Sequence, residues 1–155
     1  MKRMMFAVLA AVMALGISGC GAKEAEPVQE TEPVQTDLVI PVNEVTETAK
    51  FYPITVDGTD MEVLAVRDSE GHIRTAFNTC QSCYTSGNGR YAVEGTDLVC
   101  QNCGFHFTAD QVGANVGGGC SPWAISADER TETAEAITIA YDFLASSKNI
   151  FANWK

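Results

Sequence analysis

Cys80-Gln81-Ser82-Cys83 and Cys100-Gln101-Asn102-Cys103 form two Cys-x-x-Cys pairs, with residues 84–99 between them. We call the first pair the first knuckle and the second pair the second knuckle. In such a knuckle the backbone turns so that both sulfurs face one point, and two knuckles on neighbouring hairpin ends can surround a metal with four thiolates. Gly104 directly follows the second knuckle, where the turn often requires a positive φ that glycine adopts without strain. Two pairs at this spacing predict a metal site, whereas a single pair would be a weak signal.

Short β-type segments surround both knuckles. The segment Met61–Phe77 predicts a β-hairpin around the turn Asp68-Ser69-Glu70-Gly71, and this hairpin leads directly into Cys80. Residues 91–93 and 98–100 predict a second strand pair that leads into the second knuckle. Further β segments are predicted at Leu38–Val42, Phe51–Val56 and Ala136–Ala140, and a short helix or helical turn within Tyr141–Trp154. We therefore expect a mainly β domain with short strands, many turns and a short C-terminal helix.

The N-terminus has the pattern of a bacterial lipoprotein signal peptide. Lys2 and Arg3 precede an apolar run, Met4–Leu15, which is too short to span a bilayer as a helix. Small residues then lead directly into Cys20, the arrangement at which lipoprotein signal peptides are cut and the cysteine is lipidated. We expect residues 1–19 to be removed and acyl chains on Cys20 to attach the protein to the cell membrane, outside the cytoplasm.

Residues 20–36 predict a disordered linker, and residues 37–155 predict a single folded domain. The linker repeats Glu26-Pro27-Val28-Gln29 as Glu32-Pro33-Val34-Gln35 and has no aromatic residue, so it cannot bury enough apolar surface to fold. The signal peptide holds two of the ten basic residues and none of the twenty acidic ones, so its removal takes the net charge from −10 to −12. Such an acidic surface argues against nucleic acid as a partner.

Three interpretations of the cysteines remain open at this point. Structural zinc is the usual occupant of two such knuckles in a cytosolic protein, disulfides are the default in an exported domain, and a redox-active iron–sulfur centre is the third. Disulfides are disfavoured because residues 37–155 hold five cysteines, which cannot all pair within one chain. A disulfide within one knuckle would also close only a very small loop. The spacing does not separate zinc from iron.

A wider pattern of residues around the knuckles resembles the FtrD-like family of membrane-associated iron–sulfur proteins. It comprises Asp68-Ser69-Glu70-Gly71, Ala76–Tyr84, Val99–Gly104 with Phe107, Val112-Gly113 and Gly118-Gly119-Cys120-Ser121-Pro122. The resemblance extends over Ile40–Ile125. It implies an iron–sulfur protein, in some members the partner of an iron permease in ferrous iron uptake. Members are often attached to membrane-spanning segments, for which a lipid on Cys20 would substitute here.

The order of strands, cysteines and a Gly/Pro loop also has a weaker resemblance to the Rieske ferredoxin layout. In that family a histidine stands in each knuckle where this chain has Cys83 or Cys103, and the first knuckle here is one residue longer. The likeness implies a small β-sandwich or barrel whose hairpin subdomain holds a [2Fe–2S] cluster. Cys80 and Cys100 would then bind the inner iron, and Cys83 and Cys103 the outer iron.

Four more residues are candidates for the surroundings of the centre. Cys120 belongs to the family pattern, and we expect it beside the sulfurs as a fifth ligand, a resolving thiol or half of an intermolecular disulfide. Tyr84, Trp123 and His106 lie near the cysteines in sequence. The two aromatic side chains would shield the centre from water, and the histidine would add a proton-coupled or ligand role. For each of the three, ordinary core packing or partial burial is the alternative.

The sequence therefore predicts an electron carrier at the outer face of the cell membrane, possessing an iron–sulfur centre and linked to iron uptake. Its partner would be a membrane permease or a redox protein. No paired carboxylates, nucleophile elbow or phosphate loop indicate an enzyme with a substrate of its own. A zinc-binding module on the same four cysteines is the first alternative. A thiol–disulfide oxidoreductase is the second, although its Cys-x-x-Cys pair normally stands at a helix N-terminus, and both pairs here follow β segments.

Overall fold

The computed structural model describes residues 35–114 and 119–155. The predicted signal peptide, Cys20 and most of the predicted linker therefore lie outside the described residues. Ten strands occur in the described part: β1 Leu38–Pro41, β2 Lys50–Val56, β3 Thr59–Arg67, β4 Ile73–Cys80, β5 Tyr91–Glu94, β6 Asp97–Cys100, β7 His106–Phe107, β8 Pro122–Ile125, β9 Thr131–Glu132 and β10 Ala136–Ile139. Within these residues no helix is both long and apolar enough to cross a membrane.

Helical structure in the described residues is short. One α-helix, α1, spans Tyr141–Ser146, and 3₁₀ turns span Val42–Glu44, Ala109–Gln111, Ala127–Glu129 and Lys148–Phe151. The mainly β fold with a short C-terminal helix is thus confirmed. The helix is only a part of the predicted segment Tyr141–Trp154, because the backbone changes to a 3₁₀ turn after Ser147.

The central sheet has four antiparallel strands in the order β2-β3-β4-β8. Strands β2 and β3 are joined by a tight turn at Asp57 and Gly58, which both adopt positive φ, of 46° and 77°, as the turn of a two-residue hairpin requires. Strands β3 and β4 form the predicted hairpin, with Val63 paired to Phe77. Strand β4 ends at Cys80, so this hairpin delivers the first knuckle.

Strand β3 is buried on both faces, which separates the described domain into two cores. Because side chains alternate along a strand, Met61, Val63 and Ala65 point to one face and Leu64 and Val66 to the other. The first core contains Ile40, Val45, Val56, Met61, Val63, Ala65, Ile73, Phe77, Ile125, Ile137, Ile139, Tyr141, Leu144, Ile150, Phe151 and Trp154. The second core contains Ala49, Leu64, Val66, Ala76, Cys80, Cys83, Tyr91, Leu98, Cys100, Phe107 and Val112.

Each core is covered by a second, smaller sheet. The sheet β1-β10-β9 and the C-terminal turns contribute aliphatic and aromatic side chains to the first core. The sheet β5-β6-β7 contributes Tyr91, Leu98 and Phe107 to the second core, and its strand β6 ends at Cys100, so this sheet delivers the second knuckle. Both knuckles therefore begin at strand ends that border the second core.

Truncation of a side chain in the second core, between the central sheet and the sheet β5-β6-β7, should test this arrangement. Leu64 is fully buried in the second core, so we expect Leu64→Ala to lower the free energy of unfolding by about 2–5 kcal/mol. Val39, which is 55% exposed, provides a control, since Val39→Ala should cost less than about 1 kcal/mol. Urea denaturation of both variants measures the difference, and equal losses would contradict the assignment of Leu64 to a core.

Candidate metal centre

The structure brings four of the predicted ligand sulfurs together. The Sγ atoms of Cys80, Cys83, Cys100 and Cys103 all lie within 4.8 Å of one another. The first three cysteines are buried and Cys103 is exposed. All five cysteines of the described residues are free thiols rather than disulfides. The four sulfurs come from two hairpins that are distant in sequence, so only the packing of the sheets brings them into one group.

Backbone hydrogen bonds to the carbonyl of the first cysteine close the turn in each knuckle. The backbone N–H groups of Cys83 and Tyr84 donate to the carbonyl oxygen of Cys80, at 3.1 and 2.9 Å. In the second knuckle the N–H of Gly104 donates to the carbonyl oxygen of Cys100 at 2.8 Å. Gly104 has φ of +69°, as the sequence predicts, and a side chain there would strain the backbone. The two turns therefore aim their sulfurs at a common point.

Several sulfurs accept hydrogen bonds from N–H groups. Burial raises the pKa of Cys100, while the backbone N–H groups of Cys103 and Asn102 act against this by donating to its sulfur. Burial raises the pKa of Cys83 to about 12 even though the Asn102 side chain donates to its sulfur. At Cys103 burial is outweighed by the Phe105 N–H and by neighbouring thiols, so its pKa is lowered. These donors would stabilise negative charge on the sulfurs when a cation is bound.

The segment after the first knuckle ties the two knuckles to each other. The N–H of Cys80 donates to the carbonyl of Gly89 at 2.7 Å, and the N–H of Gln101 donates to the carbonyl of Arg90 at 2.9 Å. The side-chain amide of Asn88 donates to the carbonyl of Gln101 at 2.7 Å. A Cβ atom at Gly89 would lie 2.5 Å from the carbonyl oxygen of Cys83, so this close approach requires glycine.

Cys120 lies beside the four sulfurs but outside their group. Its thiol is within hydrogen-bonding range of the Cys103 thiol, and burial raises its pKa. Its carbonyl oxygen accepts hydrogen bonds from the Cys80 thiol, at 3.4 Å, and from the Tyr91 hydroxyl. The next residues are also attached, because Ser82 donates to the carbonyl of Gly119. The loop therefore holds Cys120 next to the centre, where the sequence predicts it.

Tyr91 is a residue of the site that the sequence reasoning missed. It is 2% exposed, and its hydroxyl lies within hydrogen-bonding range of the Cys80 sulfur; burial is the main cause that raises its pKa. Tyr91 pairs directly with Cys100 across β5 and β6, and paired residues point to the same face. The register of this hairpin is therefore the signal that could have identified Tyr91.

The Tyr84 and Trp123 side chains pack against the first core, and the His106 side chain is exposed. Trp123 pairs with Phe77, a first-core residue, and therefore points to the same face. The Tyr84 and Trp123 rings meet edge to face with centroids 6.1 Å apart, and both pack against the first core rather than the second, which contains the sulfurs. His106 is exposed, with its Nδ1 3.2 Å from an Asp97 carboxylate oxygen.

The aromatic residues that pack within the second core are Tyr91 and Phe107. Their rings meet edge to face with centroids 5.9 Å apart, and both residues are buried in the same cluster as Cys80, Cys83 and Cys100. Phe105 lies against Phe107, with ring centroids 5.1 Å apart, but is 55% exposed. The exposed edge of the site is therefore formed by Cys103 and Phe105.

The cysteines are carried by segments that lack formal charge. No Asp, Glu, Lys or Arg occurs in residues 75–89, 98–109 or 111–127, and these three segments carry all five cysteines of the folded part. The rest of the chain is strongly acidic. With no charged side chain in these segments, the N–H donors act against the burial that raises the pKa of Cys83 and Cys100.

The donor set suits a thiophilic metal. Four sulfurs at one point with N–H donors around them are the ligands that zinc and iron–sulfur centres use. Four uncompensated thiolates in a buried cluster would be unfavourable because their charges repel and their solvation is lost. A bound cation removes both costs, so these residues fit the metal that the sequence predicts.

A family model described as membrane iron-sulfur containing protein FtrD-like matches residues 44–151. The chain belongs to the FtrD-like family. The matched range is more than half of the chain and includes both knuckles and Cys120. The family predicted from the sequence is thus confirmed, and the match together with the clustered cysteines supports an iron–sulfur or metal-binding role.

Among solved structures, the chain is similar to the quaternary ammonium Rieske monooxygenase CntA, in a crystal structure with an inhibitor. The sequence identity is 14% and the TM-score is 0.45, and the alignment covers 71% of this chain and 32% of the monooxygenase chain. The FtrD-like chain thus spans about a third of the length of this structure. No curated protein has significant sequence similarity to the chain.

Enlargement of Gly89 should damage the site selectively. In Gly89→Ala the new methyl group meets the first-knuckle backbone, so we expect loss of at least half of the bound metal and a stability cost of about 1–3 kcal/mol. Metal analysis and thermal unfolding of the same preparation measure both effects. Thr85→Ala, an exposed change in the same segment, is the control and should retain all metal. Full metal content in Gly89→Ala would contradict the proposed close approach of the Gly89 backbone to the Cys83 backbone.

Proposed function

We propose that this FtrD-like protein is a membrane-attached electron carrier whose iron is held by Cys80, Cys83, Cys100 and Cys103. The observation that carries the proposal is the convergence of these four sulfurs within 4.8 Å in a member of an iron–sulfur family. Thiolate-bound iron supplies one-electron chemistry. In this proposal the protein acts as a carrier and has no substrate that it converts.

The partial exposure of the site supports electron exchange with a partner. Three of the cysteines are buried, which excludes water, whereas Cys103 is exposed beside the half-exposed ring of Phe105. A partner that contacts this edge would come within a few ångströms of a ligand sulfur without any rearrangement of the fold. The lack of charged residues in residues 98–109 means that no charged side chain of this segment must be desolvated when the edge is covered.

The sequence supports a location at the outer face of the cell membrane. A lipid on Cys20 would attach the domain, and the linker would allow it to reach a membrane protein. The net charge of −12 expected after removal of the signal peptide disfavours close contact with anionic headgroups. We propose a membrane permease or redox protein as the partner, and ferrous iron uptake as the process that the electrons serve.

Structural zinc is the second candidate, because the close spacing of the four sulfurs suits a tetrahedral zinc ion equally well.

A thiol–disulfide oxidoreductase is less well supported. Neither knuckle stands at a helix N-terminus, since both follow strands, β4 and β6, and burial raises the pKa of Cys83 to about 12. A catalytic thiol requires the opposite shift. Cys103 does show a lowered pKa, but Cys100, its partner in the same knuckle, is buried and has a raised pKa.

The full chain, purified without oxygen from cells supplied with iron, distinguishes these functions. We expect visible absorption that bleaches on chemical reduction and returns on reoxidation, with a single midpoint in a redox titration. A colourless protein that contains zinc and shows no redox transition would contradict the electron carrier. The same result would assign the four cysteines a structural role.

Removal of the Tyr91 hydroxyl should lower the midpoint potential. The Tyr91 hydroxyl donates to the Cys120 carbonyl and also lies within hydrogen-bonding range of the Cys80 sulfur. It can donate to that sulfur once Cys80 is a negatively charged ligand, and such a bond favours the reduced, more negatively charged state. A difference of about 1 kcal/mol between the two oxidation states corresponds to roughly 40 mV for one electron. We therefore expect Tyr91→Phe to have a midpoint lower by tens of millivolts, measured by redox titration.

Tyr84→Phe is the matched control for this prediction. The Tyr84 ring packs against the first core and Trp123, so removal of its hydroxyl should leave the midpoint unchanged. Equal shifts in the two variants, or none in Tyr91→Phe, would show that the Tyr91 hydroxyl does not act on the centre.

A further inference from the structure

The separations of the four sulfurs depend on how many metal ions they bind. Four thiolates around one tetrahedral ion, with metal–sulfur bonds of about 2.3 Å, lie about 3.8 Å apart. In a two-iron cluster two such tetrahedra share an edge of bridging sulfides. Thiolates on different irons are then separated by about 5.3 Å or about 6.5 Å when the same bond length is used. Four sulfurs have six pairwise separations, and in such a cluster four of the six are these longer ones.

The observed sulfur group is smaller than a two-iron cluster requires. All six separations are within 4.8 Å, so none reaches the shorter of the two cross-cluster values. The single-ion geometry requires no separation to shorten by more than about 1 Å. The two-iron cluster implied by the Rieske likeness would require four separations to increase.

The contacts between individual thiols also favour a single metal ion over a two-iron cluster. The Cys83 thiol is within hydrogen-bonding range of Cys80 in its own knuckle and of Cys103 in the other. Cys103 is also within range of Cys100. The four sulfurs thus form a chain of neighbours from Cys80 through Cys83 and Cys103 to Cys100. Any division of this chain into two pairs on two irons separates at least one pair of neighbours.

The backbone resists the widening that a larger cluster needs. The first knuckle is attached to Gly89 and the second to Arg90, which are adjacent residues, and Asn88 also donates to the second knuckle. Movement of the knuckles apart would therefore strain or break the hydrogen bond at Cys80, in the first knuckle, or those at Gln101, in the second.

We infer that this centre is a single metal ion held by Cys80, Cys83, Cys100 and Cys103, with no bridging sulfide. The identity of the ion as iron rests on the proposed function, whereas the number of ions rests on the sulfur geometry alone. Cys120 is then not a ligand, since four thiolates complete a tetrahedral ion and its sulfur stands outside their group.

Reconstitution of the full chain without oxygen tests the inference. The metal-free protein is given ferrous iron alone or ferrous iron with sulfide, and iron and acid-labile sulfide are then measured per chain. We expect one iron per chain and no sulfide in both cases, and X-ray absorption showing four sulfur neighbours with no second iron. Two irons with equal sulfide, formed only when sulfide is supplied, would overturn the single ion and leave the electron carrier intact.

A chain that instead holds one zinc ion with four sulfur neighbours, and takes up no iron, would support the single-ion geometry and overturn the proposed function. Two variants distinguish ligands from neighbours. Cys83→Ser should lose at least half of the bound iron, while Cys120→Ser should retain one iron per chain with an unchanged visible spectrum. Loss of iron in Cys120→Ser together with a circular dichroism spectrum like that of the parent would overturn the four-ligand assignment.

Discussion

The meeting of four cysteine sulfurs at one point is the constraint on which the rest of the domain depends. Three of these residues are buried, and burial raises the pKa of Cys83 and Cys100, so thiolates are costly there without a compensating charge. A thiophilic cation removes that cost, and the N–H groups of the second knuckle and of Phe105 then donate to charged sulfurs rather than to neutral thiols. The metal and the fold of this region are therefore energetically coupled.

The central sheet supports this site because it is buried on both faces. One face of β3 and β4 packs against the first core, which is closed by β1, β10 and the C-terminal turns. The opposite face packs against the second core, in which Leu64, Ala76 and Tyr91 surround the cysteines. Trp154 connects the C-terminus to this sheet, since its indole N–H donates to the carbonyl of Asn78 at 2.6 Å, two residues before the first knuckle. The first knuckle thus starts from a strand that is packed on both faces.

Local sequence patterns predicted the strands and turns well because those patterns depend on neighbouring residues. The hairpin through Asp68–Gly71, the positive φ of Gly104 and the short C-terminal helix all follow from nearest-neighbour preferences. The face on which each aromatic residue lies does not follow from closeness in sequence. Tyr84 and Trp123 are adjacent to cysteines in the chain, yet they pack against the other core, since the face to which a strand residue points is set by its register. Tyr91 was missed for the same reason, because its contact with Cys80 depends on the pairing of β5 with β6.

The sequence by itself determined the family, the mainly β fold and the set of cysteines available to a metal, since knuckle spacing and turn residues are local properties. It could not determine how close the two knuckles come to each other. That distance is decided by hydrogen bonds from residues 88–90 to both knuckles and by the packing of two sheets, which are contacts between residues distant in sequence. The number of metal ions that the sulfurs can hold depends on this distance, and for that reason only the tertiary structure bears on it.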